Sequence, residues 1–574
     1  MNTNLTATTE QRAIKLLLLA VTLLLLIPFR AQEQIRDSLF FAMIAERGGS
    51  LFAQFNPHHF LYMPSLRVSY LLAAPFCSAC DGIVIGQIHS IAWALVLVLS
   101  FYLLINQLTG SDITAALASL ILLLSQAIWV YSTQVEPYVP FVGALVCLTL
   151  LLVRYNEGSG IRWIVAATAM LAVAIFYHQA GVLFCLPLAS YLIIGDRRRG
   201  WIFSLAVIGA AGVLVLTTYV VVYLAIYGEW SLTGFRTYLF RYSSVSNPLW
   251  HSIDNVSFRG IAGLIGSQLE TIIVPPWELR SVMQWIFGAA VVATLVWNGR
   301  QILIGNSFRP ARVALMLWLL SFWGFFLWWI PGEYEFFMLT LVPLLVLGVL
   351  AVNDAMTSVG NTGFRTMVVL GSVALIALIA FRNFTESVLP KHQSRGPDYL
   401  AAKQIADLVP KNCVIFEHRQ LVQGNLFYYF NRGTRDGWDI VLHFMHGENG
   451  TLPFTWADFS FDKVHCFAVP GQLIDPNTDI ANANAYSAPE RWRNYLAWLF
   501  AFQFDEQHKL GSVRDFKIAG EVGGRPYLVF DLTRVSVAGM SDFLNLLSNR
   551  LSRKNPDGSD PYKMWLLKQS VSRD

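Results

Sequence analysis

Between Arg36 and Tyr62 the chain reads RDSLFFAMIAERGGSLFAQFNPHHFLY, which gathers a carboxylate, two imidazoles and a glycine break in one short stretch. Asp37 follows an apolar run from Ile14 to Phe29. A carboxylate at a partly dry interface can have a raised pKa, which suits a general base that takes the proton of an attacking hydroxyl. The same aspartate, with Ser38, would also serve as a plain helix N-cap. Glu136, in Thr133-Gln134-Val135-Glu136-Pro137-Tyr138, offers a second carboxyl. It can position a hydroxyl compound or share a divalent cation, Mg2+ or Mn2+, with Asp37; it reads equally as a solvated loop acid. His178 closes an apolar run in Phe176-Tyr177-His178-Gln179. A polar residue at that depth is costly and often functional, although a hydrogen bond to a neighbouring helix accounts for it as well. His58 and His59, with Arg36 and a loop arginine such as Arg241, can hold a phosphate whose ester oxygen gains charge as it leaves. Arg36 can equally pair with its neighbour Asp37. Leu61-Tyr62 completes the stretch, and Glu333 with Glu335 forms an acidic turn that either contacts a polar substrate or marks helix ends.

These residues have to be positioned by membrane helices. The chain has 574 residues, 55% hydrophobic and 14% charged, against about 25% charged in soluble domains. The net charge of +4 carries no basic block, so nucleic acid is excluded as a partner. Apolar runs at 13–30, 84–106, 112–130, 138–154, 161–178, 180–195, 201–227, 284–304, 312–330, 335–353 and 364–382 each approach the ~20 residues needed to cross a bilayer. The first is read as a retained helix, because no small-residue cleavage site follows it. Leu39, Phe40, Met43 and Ile44 recur at helical spacing, which predicts a short amphipathic helix on the membrane surface, stopped by Gly48-Gly49. Residues 60–76, broken by Pro64, Arg67 and Pro75, read as a second interfacial helix. With the N-terminus inside, Arg154, Arg162, Arg197 to Arg199, Arg300 and Arg365 fall on the cytoplasmic side. Asp37, His58, Glu136, the long aromatic loop 228–283 and Glu333 then share the opposite face.

Asp after the first span, a short helix ending in glycine, then a Pro/His turn and Leu61-Tyr62 resemble the first outer loop (31–83) of the GT-C glycosyltransferases. The likeness lies near the protein O-mannosyltransferase-like and aminoarabinose-transferase-like families and runs by layout from about Arg12 to Arg382. The chain departs from the pattern in carrying Arg36-Asp37 where many relatives have two acids, and Asn56-Pro57-His58-His59 in place of a His-Pro-Pro-Gly-like turn. The resemblance implies an α-helical polytopic membrane protein with a GT-C-like catalytic domain over 1–383. It implies transfer of a hexosyl or pentosyl group from a polyprenyl-phosphate carrier to an acceptor hydroxyl, with inversion and with Asp37 as base. It also implies Glu136 as the second acid, a substrate-facing His178, and a donor site drawing on Arg36, His58, His59, Tyr62, Arg241 and Glu333. The implied partners are the lipid-linked sugar, a protein, glycan or lipid acceptor, and membrane lipid. The implied location is a bacterial inner membrane. The competing reading is a multi-span transporter or flippase of envelope precursors. Transporters usually show related halves and mid-span charges, whereas these spans are nearly charge-free and show no repeat.

After Arg382 the composition changes. A helix at 398–409, a strand at 413–416, strands at 464–469 and 527–532 and a helix at 489–504 predict an extracytoplasmic α/β domain over 384–535, with a helix and tail over 536–574. Cys147 and Cys185 lie in apolar runs as packing residues; Cys77 with Cys80, and Cys413 with Cys466, can form disulfides if that face is oxidising.

Overall fold

The computed structural model describes residues 9–77, 79–158, 161–240, 256–305, 308–411, 413–416, 420–430, 434–435, 466–470, 517–522 and 525–531. The chain divides into two units, Met1–Ser394 and Arg395–Asp574. In the first, all eleven apolar runs are helical. They form α1 (Thr9–Leu26), α5 (Gly82–Thr109), the pair α6 (Asp112–Leu124) and α7 (Gln126–Ser132), α8 (Tyr138–Gly158), α9 (Ile161–Tyr177), α10 (Cys185–Gly195) and α11 (Gly200–Tyr227). The last four runs form α14 (Arg280–Leu303), α15 (Arg309–Trp329), α16 (Met338–Val359) and α17 (Thr362–Asn383), while α12 (Leu232–Leu239) and α13 (Phe258–Ile272) lie within the long loop 228–283. Between α1 and α5 stand α2 (Arg36–Arg47), α3 (Leu51–Gln54) and α4 (Tyr62–Ala73). Seven helices among the described residues are long and apolar enough to cross a membrane unaided, and the bent α6–α7 pair makes eight.

Burial separates centre from rim. The apolar window of α8 is 78% buried inside the protein and that of α11 only 17%. α8 is therefore a central helix, and α11 presents most of its surface outward, where lipid tails are as apolar as its side chains.

Two features were not expected. The third span is bent by 65° at Ser125, whose backbone leaves the helical region. A break at membrane depth frees carbonyls that need partners. Asn383 supplies one: its side-chain amide donates to Leu124 O at 2.9 Å and Ile272 O at 2.7 Å, while its oxygen accepts from Val274 N. The other concerns α2. It packs on α4 and α5, with Leu39, Phe41 and Ile44 buried and Phe40 exposed. The expected surface helix is thus docked on protein, and its inner stripe runs through Phe41 in place of Phe40. Gly48 ends α2 with φ 77°, a conformation glycine accepts without cost, and Arg67 donates to the terminal carbonyls of Ala45 and Glu46.

In the second unit, α18 (Gly396–Leu408) and α19 (Gln420–Phe430) accompany a mixed sheet. Its strands are β1 (Cys413–Phe416), β2 (Thr434–Arg435), β3 (Cys466–Pro470), β4 (Lys517–Val522) and β5 (Arg525–Asp531), in the order β2-β1-β3-β5-β4. β1 runs parallel to β2 and β3; β5 runs antiparallel to β3 and β4. Ala402, Ile405, Ile415, Val422 and Leu426 form its core. The expected helix at 398–409 and strands at 413–416, 464–469 and 527–532 are present within two residues of their bounds. The expected helices at 489–504 and after 536 lie outside the described residues. Cys77 and Cys80 are joined, and Cys147 and Cys185 are free thiols. Cys413 is disulfide-bonded, and the parallel register sets Cys466 opposite it.

Candidate active site

The chain that leads into α2 is tied on two sides. Ala31 N donates to Thr133 O, and Gln32 N and Glu33 N donate to Lys391 O at 2.8 and 3.0 Å. Gln87, on α5, donates to Ala31 O. These bonds fix where α2 begins. Its N-cap is Ile35, with no side-chain cap bond. Asp37 is therefore not a cap; it lies exposed in the first turn, where a carboxylate interacts favourably with the helix dipole. Ser38 does not cap either. Its hydroxyl donates to Glu136 Oε1 at 2.9 Å, across 98 residues of sequence.

Glu136 sits in the tight link between α7 and α8, and it is 1% exposed. That link can lie against α5 because residue 86 is glycine: a Cβ there would stand 2.5 Å from Val135 Cγ1. Burial raises the proton affinity of Glu136, and the charges of Asp37 and Glu335 raise it further, so the carboxyl is held well above the usual range. Glu335 lies on the turn before α16 and accepts from Tyr131 Oη at 2.9 Å. Burial, Glu333 and Asp37 push its pKa up to about 7, against the opposing effect of the Tyr131 bond. Three carboxyl groups thus feel one another's charge. Glu333 belongs to the same turn and acts on Glu335 through its charge. Arg280 pairs with Glu270, whose charge acts on Tyr334 of the same turn as Glu335.

The second half of the site is the His turn. Asn56 Oδ1 accepts from His58 N and starts a single 3-10 turn, Pro57–His59. Tyr219 of α11 and Tyr238 of α12 hold this turn by donating to Pro57 O and Phe55 O, at 2.7 and 2.8 Å. His178 caps the 3-10 turn that precedes α10; its Nδ1 accepts from Ala180 N at 3.1 Å. The ring centroids of His58 and His178 are 4.2 Å apart, those of His58 and His59 4.6 Å, and those of His59 and His178 5.1 Å. Phe141 stacks on His178. Burial lowers all three imidazoles: His58 falls to about 4, and His59 and His178 fall well below the ordinary value, each further lowered by its neighbours. Among the described residues these three form the group whose ligating atoms all come within 4.8 Å of one another; Asp37 and Glu136 belong to no such group of three.

The structure brings together Asp37 and Glu136 on one side and His58, His59 and His178 on the other. Tyr138, two residues after Glu136, connects them, its ring 5.9 Å from His178. Tyr62 is fully buried against Phe41 and His89, a position in the packing. Arg36 opens α2, and its side chain is outside what is described; Arg241 lies outside the described residues. The sequence reading missed Tyr131 and Gln179. Gln179 bonds the His58 side chain, donates to Leu239 O at 2.9 Å, and lines an apolar groove of about 220 Å3 with Ile175, Val215, Leu216 and Tyr219. Its place directly after His178 was the available signal.

Residues 66–224 match the family described as dolichyl-phosphate-mannose-protein mannosyltransferase. The whole arrangement resembles ArnT from Cupriavidus metallidurans, solved bound to undecaprenyl phosphate. The identity is 13% and the TM-score 0.54, over 90% of this chain and 97% of that one. The fold is that of a GT-C glycosyltransferase. The oligosaccharyltransferase of Archaeoglobus fulgidus, solved in complex with Zn and sulfate, is similar at 11% identity and TM-score 0.50, over 84% of this chain and 71% of that one. No curated protein sequence matches the chain. The GT-C resemblance read from Asp37 to Tyr62 therefore holds at the level of fold, and it extends beyond the membrane helices, since the match to ArnT covers most of the chain.

Proposed function

We propose that this GT-C protein moves a sugar from a polyprenyl-phosphate carrier to an acceptor hydroxyl, with inversion, and that Asp37 is the base. The observation behind this reading is the division of labour among the carboxyl groups. Asp37 is exposed and is not the helix cap, whereas Glu136 is buried, biased toward its protonated form and held by Ser38. An acceptor hydroxyl can reach Asp37. Glu136, whose burial favours the protonated form, can hydrogen-bond the acceptor or the sugar. As the hydroxyl oxygen attacks the anomeric carbon, its proton passes to Asp37 and the bond to the phosphate oxygen breaks.

The leaving phosphate is assigned to the His58–His59 turn. Gln179 joins that turn to the apolar groove, so a polar head and an apolar tail have adjacent places. ArnT was solved with a polyprenyl phosphate, and the Archaeoglobus enzyme with Zn, which supports the same two classes of ligand here. A divalent cation in this site would be held by Asp37 and by Glu136 once Glu136 has given up its proton, and it would stabilise charge on the phosphate. We place the site on the extracytoplasmic face of a bacterial inner membrane, with residues 395–574 on the same side. A cysteine introduced at Asn449 should then react with an impermeant thiol reagent in spheroplasts, and protection there would reverse the topology.

The deciding experiment is mass spectrometry of lipid that co-purifies with the full-length protein. A polyprenyl-phosphate sugar is expected. A monodisperse preparation that carries none, and takes up none when incubated with polyprenyl-phosphate sugars, overturns the reading.

A further inference from the structure

We infer that His58, His59 and His178 form a binding site for one divalent transition-metal ion of the Zn2+ or Co2+ class, separate from the carboxyl groups of Asp37 and Glu136. It goes beyond the proposed reaction, because metal uptake here stands whether or not a lipid phosphate docks at the turn.

The geometry is close to what such an ion requires. Nitrogens that all lie within 4.8 Å of one another share a central point no more than about 2.8 Å from each, against Zn–N bonds of about 2.0–2.1 Å. Closing the set takes shifts below about an ångström, small for side chains on two short turns. The donors are three imidazoles and no carboxylate. That set suits Zn2+, Co2+, Ni2+ or Cu2+ and is a poor match for Mg2+ or Ca2+, which take oxygen.

The surrounding bonds prepare two of the ligands. The Nδ1 hydrogen of His59 points to Tyr177 O at 3.3 Å, which leaves Nε2 with its lone pair, the usual outer support of a metal-bound histidine. Gln179 also hydrogen-bonds the His58 side chain.

His178 is the ligand that must adjust. Its Nδ1 accepts the Ala180 amide hydrogen, so the proton of the metal-free ring is on Nε2. That Nε2 is buried, in a residue 3% exposed, and has no hydrogen-bond partner among the described residues. A buried N–H left without an acceptor is a cost the fold would not carry without compensation. Ligation removes the cost when the proton moves to Nδ1, at the expense of the Ala180 bond, and Nε2 takes the metal as a neutral imidazole. Two imidazoles then recruit the third.

The test uses the full-length protein in detergent with an affinity tag that lacks histidine. After chelation and desalting, it is titrated with CoCl2, followed by visible absorption and by elemental analysis of the desalted product. One tightly held Co2+ per chain is expected, with the d–d bands of a nitrogen-rich site, displaced by Zn2+. His58→Gln and His178→Gln should each lower affinity at least tenfold and remove the bands; His58 is half-buried, so its variant is the one expected to fold normally. Asp37→Asn and Glu136→Gln should leave the spectrum unchanged. No stoichiometric Co2+ in the wild type overturns the site. So does Co2+ binding that survives in folded His58→Gln or is lost in Asp37→Asn.

Discussion

Asp37→Asn separates catalysis from stability at this site. Asparagine keeps the size and most hydrogen-bonding capacity of aspartate but cannot take the acceptor's proton. Loss of a general base costs about 10²–10⁴ in rate, or about 3–5 kcal/mol of barrier. The effect on the fold is far smaller. No cap is broken, because Ile35 is the N-cap and no side chain bonds the helix terminus. The favourable interaction of a first-turn carboxylate with the dipole, about 0.3–1 kcal/mol, is lost. Against this, the charge of Asp37 is one reason that Glu136 and Glu335 are hard to ionise, so asparagine relieves that repulsion. The two effects oppose each other, and the melting temperature should stay within a few degrees of wild type. The assay is release of free polyprenyl phosphate from the co-purifying lipid-linked sugar, by protein in nanodiscs supplied with a membrane extract as acceptor. Donor retention is measured in the same samples. Transfer should fall at least a hundredfold with donor binding unchanged, and the titration of Glu335 should move down from about 7 as its neighbour's charge disappears. A folded variant that transfers within a few-fold of wild type would refute Asp37 as the base.

Glu136→Gln should be mild if Glu136 works as the neutral acid its burial favours, since Gln still accepts from Ser38. A loss as deep as that of Asp37→Asn would show instead that it acts as a carboxylate on a cation. Asp354→Asn should destabilise strongly, by about 3–5 kcal/mol, because it leaves the fully buried Arg312 without its charged partner, whose two oxygens accept from Nη2 at 2.8 and 3.0 Å; a thermal melt within a degree of wild type contradicts this. Glu335 binds its proton more tightly folded than unfolded, so it costs stability as pH rises from about 4.5 to about 7, and the cost persists above that. Glu335→Gln should remove that fall, roughly 1–2 kcal/mol after allowance for partial exposure, and parallel melting curves against pH for the two proteins would exclude it. In denatured, unreduced protein a maleimide should label Cys147 and Cys185 and spare Cys77, Cys80 and Cys413; labelling of Cys413 would contradict its bonded state.

What the sequence could reveal was local. Apolar runs long enough to cross a bilayer stand out without any partner, as do Gly48 ending α2 and the Asn56-Pro57 start of the His turn. The bend at Ser125 was not legible, because it is permitted by Asn383, which reaches Leu124 from 259 residues away. The partners at the candidate site were hidden for the same reason. Tyr131 and Glu335 are 204 residues apart, and His59 meets the Tyr177 carbonyl 118 residues on. Ser38 is the clearest case. A serine beside an aspartate at the start of a helical pattern reads as a cap, and from local chemistry that reading is sound. It fails because the backbone of 31–33 is already bound to Thr133 and Lys391, so that α2 is entered at Ile35 and both side chains are released from its end. One of them turns inward to hold Glu136, and the other is left facing outward as an exposed carboxylate. Contacts outside α2 therefore decide that neither Asp37 nor Ser38 is its cap, and no pattern within Arg36 to Tyr62 could have disclosed it.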